Sequence, residues 1–230
     1  MKLIVIEGLD GSGKATQTAL LACRLSQGKM PVKTVSFPDY EKPWSCLARM
    51  YLDGAFGSRP QDVSAYAASS FFAMDRFASY RTGWQADYEA GTVILCDRYV
   101  GSNAIHQAVK LPRKEWDEYL SWLADYEYQK LGLPRPSATI YLKMPPDTSQ
   151  TLLARRYGGD EEKKDIHEKN QSYLSYCYEA ADYVAKKWGW RTVECCDQNG
   201  LRSPGQIEQS VWEALADFFG ASSDWTNGEQ

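Results

Sequence analysis

Histidine is nearly absent from this chain: His106 and His167 are the only two among 230 residues. The six cysteines, at 23, 46, 96, 177, 195 and 196, never form a Cys-x-x-Cys pair. Thiolate and imidazole ligands at metal-binding spacing are therefore missing, which argues against a zinc site. The thiols read as free and mostly buried, with Cys195 and Cys196 facing opposite sides of a strand. A basic excess is missing too. Lys and Arg total 26 against 30 Asp and Glu, a net charge of −4. That excludes a broad nucleic-acid or acidic-membrane footprint, but not a local basic pocket for phosphates. No apolar run approaches the length of a membrane span. The opening run is too short for a signal-peptide core and ends on Glu7. A cytoplasmic protein with no membrane partner is expected. Internal repeats, low-complexity blocks and a serine-histidine-aspartate signature are also lacking.

What is present is an ordinary soluble composition, 43% hydrophobic and 24% charged, of a length that suits one domain. Short apolar runs alternate with longer helical stretches. Runs at 3–7, 32–37, 92–96, 138–143 and 191–195 read as strands. Stretches at 14–27, 44–52, 61–90, 102–109, 113–131, 146–156, 168–188 and 205–219 read as helices. This alternation predicts an α/β fold, a parallel sheet covered on both faces. Gly28 suits a helix C-cap, Pro38 stops the second strand, and Pro146 suits a first helical turn. One domain over 1–220 is expected, with a polar glycine-containing tip at 157–164 and a polar tail at 221–230.

Between the first strand and the first helix stands Gly8-Leu9-Asp10-Gly11-Ser12-Gly13-Lys14. Strand, glycine loop and helix in that order form the context of a phosphate-binding loop. Glycines let backbone N–H groups turn toward phosphate oxygens, and the helix start points its positive end at the same place. Lys14 adds a charge for the β and γ phosphates. Gly8 through Thr16 are thus candidate triphosphate contacts. The residue after the lysine is usually a Ser or Thr whose hydroxyl ligates magnesium. Here it is Ala15, followed by Thr16. Magnesium (Mg2+) would then be held through a water or from elsewhere. A loop that binds nucleotide without transferring phosphate is the other reading.

Val93-Ile94-Leu95-Cys96 leads into Asp97, the pattern of a buried strand with an aspartate at its carboxyl edge. In phosphate-loop proteins such an aspartate holds the metal or its water, and that edge is where open α/β sheets bind ligands. Arg98 follows and suits bidentate contact with a phosphate. A strand-end ion pair is the plain alternative.

Further segments complete an ordered set: Phe37-Pro38-Asp39-Tyr40, Tyr51 to Gly57, Phe72-Ala73-Met74-Asp75-Arg76, Asp97 to Asn103, Gly132-Leu133-Pro134 and Asp165-Ile166-His167-Glu168. With the phosphate loop, this set resembles the thymidylate kinases, nucleoside monophosphate kinases acting on dTMP, from Lys2 to about Phe219. The resemblance implies a three-layer P-loop kinase fold, with a five-stranded parallel sheet flanked by helices and a short lid. It implies ATP and dTMP as substrates, Mg2+ as cofactor, and a homodimer built through long helices. Trp116 to Tyr128 and the helix near Tyr66 to Tyr80 are candidate dimer faces.

The resemblance also implies roles. Phe72 stacks on the thymine and Arg76 hydrogen-bonds it; positions i and i+4 share a helix face independently of any family. Phe71 and Phe77 read as core. Arg98 holds the acceptor phosphate with Tyr40 nearby, and Asn103 and Gln107 border base and sugar. Asp10 touches the acceptor side or the metal shell, which Asp97, Asp165 and Glu168 join directly or through water. A lid at about 155–168 covers ATP. Gly11 and Ser12 leave the phosphate loop without an Arg, so the lid supplies the cation. Arg155 and Arg156 are its candidates and Lys163 and Lys164 the substitutes, a solvated surface being the alternative. Two positions depart from the family pattern. Asp39 stands where many members carry Arg, with Arg49 as a possible replacement. His106 stands where an aromatic residue usually crowds the sugar 2′ position.

The chemistry implied is in-line phosphoryl transfer. A phosphate monoester has a second pKa of about 6, so the acceptor is mostly a dianion at neutral pH and needs no general base. Lys14, Arg98, magnesium and a lid cation would position and neutralise the reacting groups. A different nucleoside monophosphate or deoxynucleoside kinase stays open at this point.

Overall fold

A computed structural model describes residues 1–158, 160, 165–168 and 171–219. Lys163, Lys164 and the tail at 221–230 lie outside the described residues. The strands β1 (Lys2–Glu7), β2 (Val32–Ser36), β3 (Val93–Asp97), β4 (Ala138–Lys143) and β5 (Arg191–Glu194) form one sheet in the order β2-β3-β1-β4-β5. Every neighbouring pair is parallel. The helices are α1 (Lys14–Gln27), α2 (Cys46–Leu52), α3 (Ala65–Ser79), α4 (Gln85–Glu89), α5 (Val100–Ala108), α6 (Trp116–Ala124), α7 (Pro146–Tyr157), α8 (Gln171–Trp188), α9 (Pro204–Ala214) and α10 (Ala216–Phe219). Among the described residues no helix is long and apolar enough to cross a membrane.

The near-continuous apolar run of β1 follows from its central place. Leu3 and Val5 join a core with Ala104, Tyr119, Leu120 and Val184, from α5, α6 and α8. Ile4 and Ile6 join a second core with Leu21, Leu25, Ile207 and Val211, from α1 and α9. Alternate side chains thus feed opposite layers. Each fully buried aliphatic residue contributes about 1.5–3 kcal/mol.

Several boundaries differ from the pattern-based expectation. The helix expected over 61–90 starts late, because Ser64 caps α3 by accepting from the Ala67 amide at 3.2 Å. Two helical stretches carry π-helical turns, Tyr80–Trp84 and Asp125–Lys130. The last helix starts in a reciprocal cap between Ser203 and Gln206 and is interrupted between α9 and α10. Gly28 is the C-cap of α1 as expected, with φ −77°, and it is Lys29 beyond it that takes the left-handed turn, at φ 59°. A small antiparallel pair, β6 (Cys196–Asp197) and β7 (Gly200–Leu201), was not expected. Cys195 is buried and Cys196 half-buried.

Register places the working edge. Asp97 pairs with Ile6 of β1 and with Ser36 of β2. The segments that follow β1, β2 and β3 therefore leave the sheet side by side at its carboxyl edge, where a topological switch opens a crevice.

Candidate active site

The segment after β1 is built to receive an anion. Gly11 and Gly13 hold φ of 78° and 85°, which only glycine takes readily. A Cβ on Gly11 would also stand 2.7 Å from the Ser149 carbonyl. Gly13 is the N-cap of α1, makes no side-chain cap and precedes a first turn without acidic residues. The leading amides of α1 thus lack the usual side-chain acceptor. Ser12 Oγ is buried without a partner. Lys14 is 7% exposed and donates to the Leu9 carbonyl at 2.8 Å. Burial, followed by the Arg98 charge, pushes its ammonium down to about 8 against the pull of Asp10, Asp97 and Glu7.

Arg98 is set by a residue that had no assigned role, Glu7. The Glu7 carboxylate is fully buried. Its Oε1 accepts from the Tyr99 and Ser102 amides at 2.8 and 3.0 Å, and Oε2 from Ser102 Oγ at 2.7 Å. It thereby caps α5, whose own N-cap residue Tyr99 offers no side-chain bond. Burial raises the Glu7 carboxyl, opposed by the Ser102 hydrogen bond and the Arg98 charge. A lone carboxylate closing an apolar buried strand was the available signal. Arg98 itself sits at φ 67°, a left-handed conformation that costs a non-glycine residue roughly 1–2 kcal/mol. Its side chain reaches Gly8 O at 3.4 Å and Ser102 Oγ at 3.3 Å, and forms an ion pair with Asp10. Burial opposes ionisation of Asp10, but Arg98 and Lys14 outweigh it and hold the carboxyl well below its usual range. Burial likewise opposes the Arg98 charge, and Asp10, Asp97 and Glu7 outweigh it.

Two adjoining cavities share Arg98 and Asp10 in their walls, together with Phe37, Pro38, Tyr40, Leu52 and Asp165. One is an open cleft of about 2200 Å³, including solvent at its mouth, running along the phosphate loop past Ala15, Thr16 and Asp97 to Leu201, Arg202 and Pro204. The β6–β7 pair and the start of α9 supply that far wall, which the sequence did not announce. The other cavity is smaller, about 500 Å³, with Phe72, Arg76, Ser102, His106, Gln107 and His167 on its walls. Gly8 and Leu9 line neither; their carbonyls hold Arg98 and Lys14.

Phe72 and Arg76 do share a wall of the smaller cavity, yet Arg76 is largely committed elsewhere. It is 2% exposed and donates from Nε and Nη2 to Glu127, at 2.6 Å each. That leaves Nη1 for the cavity. Glu127 was missed because it lies on the π-helical turn Asp125–Lys130, where a regular helical period misplaces side chains. Asn103 lines neither cavity. It donates to Glu127 Oε1 and to Ser69 O, both at 3.0 Å, and so supports the Arg76–Glu127 pair, against the expectation that it borders base and sugar. Gln107 faces the cavity with Oε1 unpartnered. Phe71 and Phe77 are half-buried rather than core; Phe71 packs on the Tyr51 and Phe56 rings. Tyr40 stands 49% exposed at the mouth. Its carbonyl accepts from Arg49 at 2.7 Å, so Arg49 does reach the segment where Asp39 leaves a cation wanting.

The four carboxylates considered for metal do not form one ligand set. Among the described residues no three or more His, Cys, Asp or Glu are grouped to hold an ion. Asp97 Oδ1 is buried, unpartnered and on the open cleft, which suits one contact to an ion or its water. Asp10 is in its ion pair. Asp165 Oδ1 accepts the amides of His167 and Glu168 at 2.8 and 2.9 Å, and Glu168 Oε2 accepts the Asp165 amide at 3.2 Å. Those two close a turn. The turn is hooked to α2 by the Ile166 amide on Leu52 O at 3.3 Å, and through Asp165 it reaches both cavities. Arg155 is exposed on α7 and lines neither cavity. Arg156 lies on the same helix, its side chain outside the description.

Comparison with known proteins agrees with this layout. The family described as thymidylate kinase matches residues 6–195. A thymidylate kinase from Mycobacterium tuberculosis is 30% identical over 200 residues, covering 82% of this chain and 88% of the relative. One from Symbiobacterium thermophilum is 30% identical over 172 residues, 74% and 73% of the two chains. One from Thermomicrobium roseum is 28% identical over 223 residues, 93% and 94%. With its phosphate loop, its parallel sheet and a family match over most of its length, the chain belongs to the thymidylate kinase family.

Proposed function

We propose that the chain transfers the γ-phosphoryl group of ATP to dTMP, giving dTDP. The observation that carries this is the Arg98–Asp10 pair, which stands at the junction of the two cavities. ATP occupies the open cleft with its phosphates on the loop amides and Lys14. dTMP occupies the smaller cavity, its base against Phe72, Arg76 and Gln107. Its phosphate meets Arg98 beneath Tyr40, which brings acceptor oxygen and donor phosphorus together. The acceptor is already a dianion, so no residue has to remove a proton. Lys14 and Arg98 neutralise charge as it spreads over the transferred group. Mg2+ supplies further neutralisation of the phosphates when bound. Asp97 would hold its shell, a reading supported by its unpartnered Oδ1 on the cleft, since Ala15 has no hydroxyl to offer. The further cation is read as Arg155 or Arg156 of α7.

The reading also takes the enzyme as a cytoplasmic homodimer. Tyr66 and Met74 of α3, 38% and 37% exposed, support a face for a second copy on that helix.

Arg98→Ala tests the assignment. Turnover of dTMP should fall by ~100-fold or more, while ATP still binds in calorimetry. Undiminished turnover would remove Arg98 from the acceptor site.

A further inference from the structure

A third cavity opens on the other side of Glu7. It encloses about 750 Å³, including solvent at its mouth, against about 500 Å³ for the smaller cavity of the active site. It lies among β1, β4, the start of α5 and the end of α8, and it shares no lining residue with the two cavities already described. Val5 and Thr139 stand in register on neighbouring strands, so both present their side chains to this face of the sheet. Phosphoryl transfer makes no use of the space.

Glu7 forms the inner wall and is fully buried, while Arg135 stands exposed at the mouth. The Arg135 guanidinium lies 4.4 Å over the Tyr128 ring. Among the described residues it makes no hydrogen bond or ion pair, so its N–H donors stay available to a ligand. Its backbone is fixed on both sides. The Tyr99 hydroxyl donates to Pro134 O at 3.1 Å, and the Ser137 amide donates to Leu3 O at 2.7 Å. Pro134 and Pro136 flank it in sequence and restrict the loop further. The cation is thus presented from a preorganised segment, which lowers the ordering cost of binding. Trp188 and Trp190 are half-buried, their rings 6.0 Å apart at 66°. Neither indole N–H nor the Thr139 hydroxyl makes a hydrogen bond to the described residues.

We propose that this cavity is a binding site for a small aromatic molecule carrying one anionic group, its ring among Tyr128, Trp188 and Trp190 and its anion on Arg135. Three aromatic side chains in one wall favour a planar apolar ring. Arg135 is the one cationic residue in the lining, and a guanidinium fork matches a carboxylate or a phosphate oxygen pair. One cation suits one negative charge. That separates this cavity from the phosphate loop, where Lys14 and Arg98 stand together to meet a polyanion. The site rests on these residues alone and not on the reading of the other two cavities as ATP and dTMP sites.

The test is a titration with 1-naphthoate, followed by the NMR signals of the Trp188 and Trp190 indole N–H groups. Those signals are assigned with Trp188→Phe and Trp190→Phe. In the wild type both should shift and saturate with a Kd of about 1 mM or tighter. The uncharged 1-naphthamide, of the same shape, should bind roughly tenfold more weakly, as expected for a lost charge-assisted hydrogen bond. Arg135→Gln removes the charge from an exposed side chain. It should weaken 1-naphthoate by about the same factor and leave 1-naphthamide unchanged. Arg98→Ala should bind 1-naphthoate as the wild type does. Unmoved Trp188 and Trp190 signals overturn the proposal, and so does equal affinity for naphthoate and naphthamide in the wild type, a comparison that needs no variant to fold. Loss of binding in Arg98→Ala would also overturn it, by placing the anion at the phosphate site.

Discussion

Asp75 is fully buried, with one carboxylate oxygen on the Asp39 amide at 3.2 Å and the other unpartnered. Burial pushes its carboxyl up to about 6, against the Asp39 hydrogen bond and the Arg76 charge. The folded chain therefore holds this proton more tightly than the unfolded chain. The group's contribution to stability is complete below the unfolded pKa and is lost as pH rises through about 6. Asp75→Asn keeps an acceptor for the Asp39 amide and cannot ionise. Its melting temperature should exceed the wild type's at pH 8, and the excess should shrink toward pH 4.5. An excess independent of pH would contradict this ionisation. Side chains such as Lys14, Asp97 and Arg98 were legible because each stands beside a strand end or glycine loop whose purpose is local. Glu7, Glu127 and the true position of Asn103 were not. Arg76 and Glu127 are 51 residues apart in sequence, and only packing brings them together.

Among the elements, α5 brings Ser102, His106 and Gln107 to the wall of the smaller cavity, and its close approach to β1 depends on Gly101. A Cβ there would lie 2.7 Å from both Glu7 Oε1 and the Trp190 ring. Neither can yield cheaply, because Glu7 is fixed by three hydrogen bonds. Gly101→Ala should destabilise the fold by about 1–3 kcal/mol, measured by urea denaturation. An unchanged midpoint would show that α5 can shift without cost. On α7, replacing Arg155 and Arg156 together by Ala should lower kcat by ~10–100-fold with little change in the KM for dTMP. Unchanged kcat would place the extra cation elsewhere. The strands were readable because β1, β3 and β4 are buried on both faces and bounded by turn residues. The π-helical turns and the β6–β7 pair escaped, the first because they break the helical period and the second because two-residue strands are too short to show alternation.

For the whole molecule, the parallel sheet fixes which loops share an edge, and the sequence showed that edge through the glycine loop and Asp97. The meeting of two cavities at the Arg98–Asp10 pair is a tertiary fact that no motif spacing contains. A ligand bound to the folded chain alone adds about 2.7 kcal/mol at a hundred times its Kd. MgATP should therefore raise the melting temperature of the wild type, and of Arg98→Ala, by similar amounts. dTMP should raise only the former to full extent. The decisive measurement is a coupled assay with MgATP across dTMP, dUMP, UMP, AMP and thymidine. The two-cavity arrangement predicts dTDP formation from dTMP as the fastest reaction, lost in Arg98→Ala. ATP binding without phosphoryl transfer to any of these acceptors would contradict it, and would mark Ala15 as the sign of a chain that only holds nucleotide.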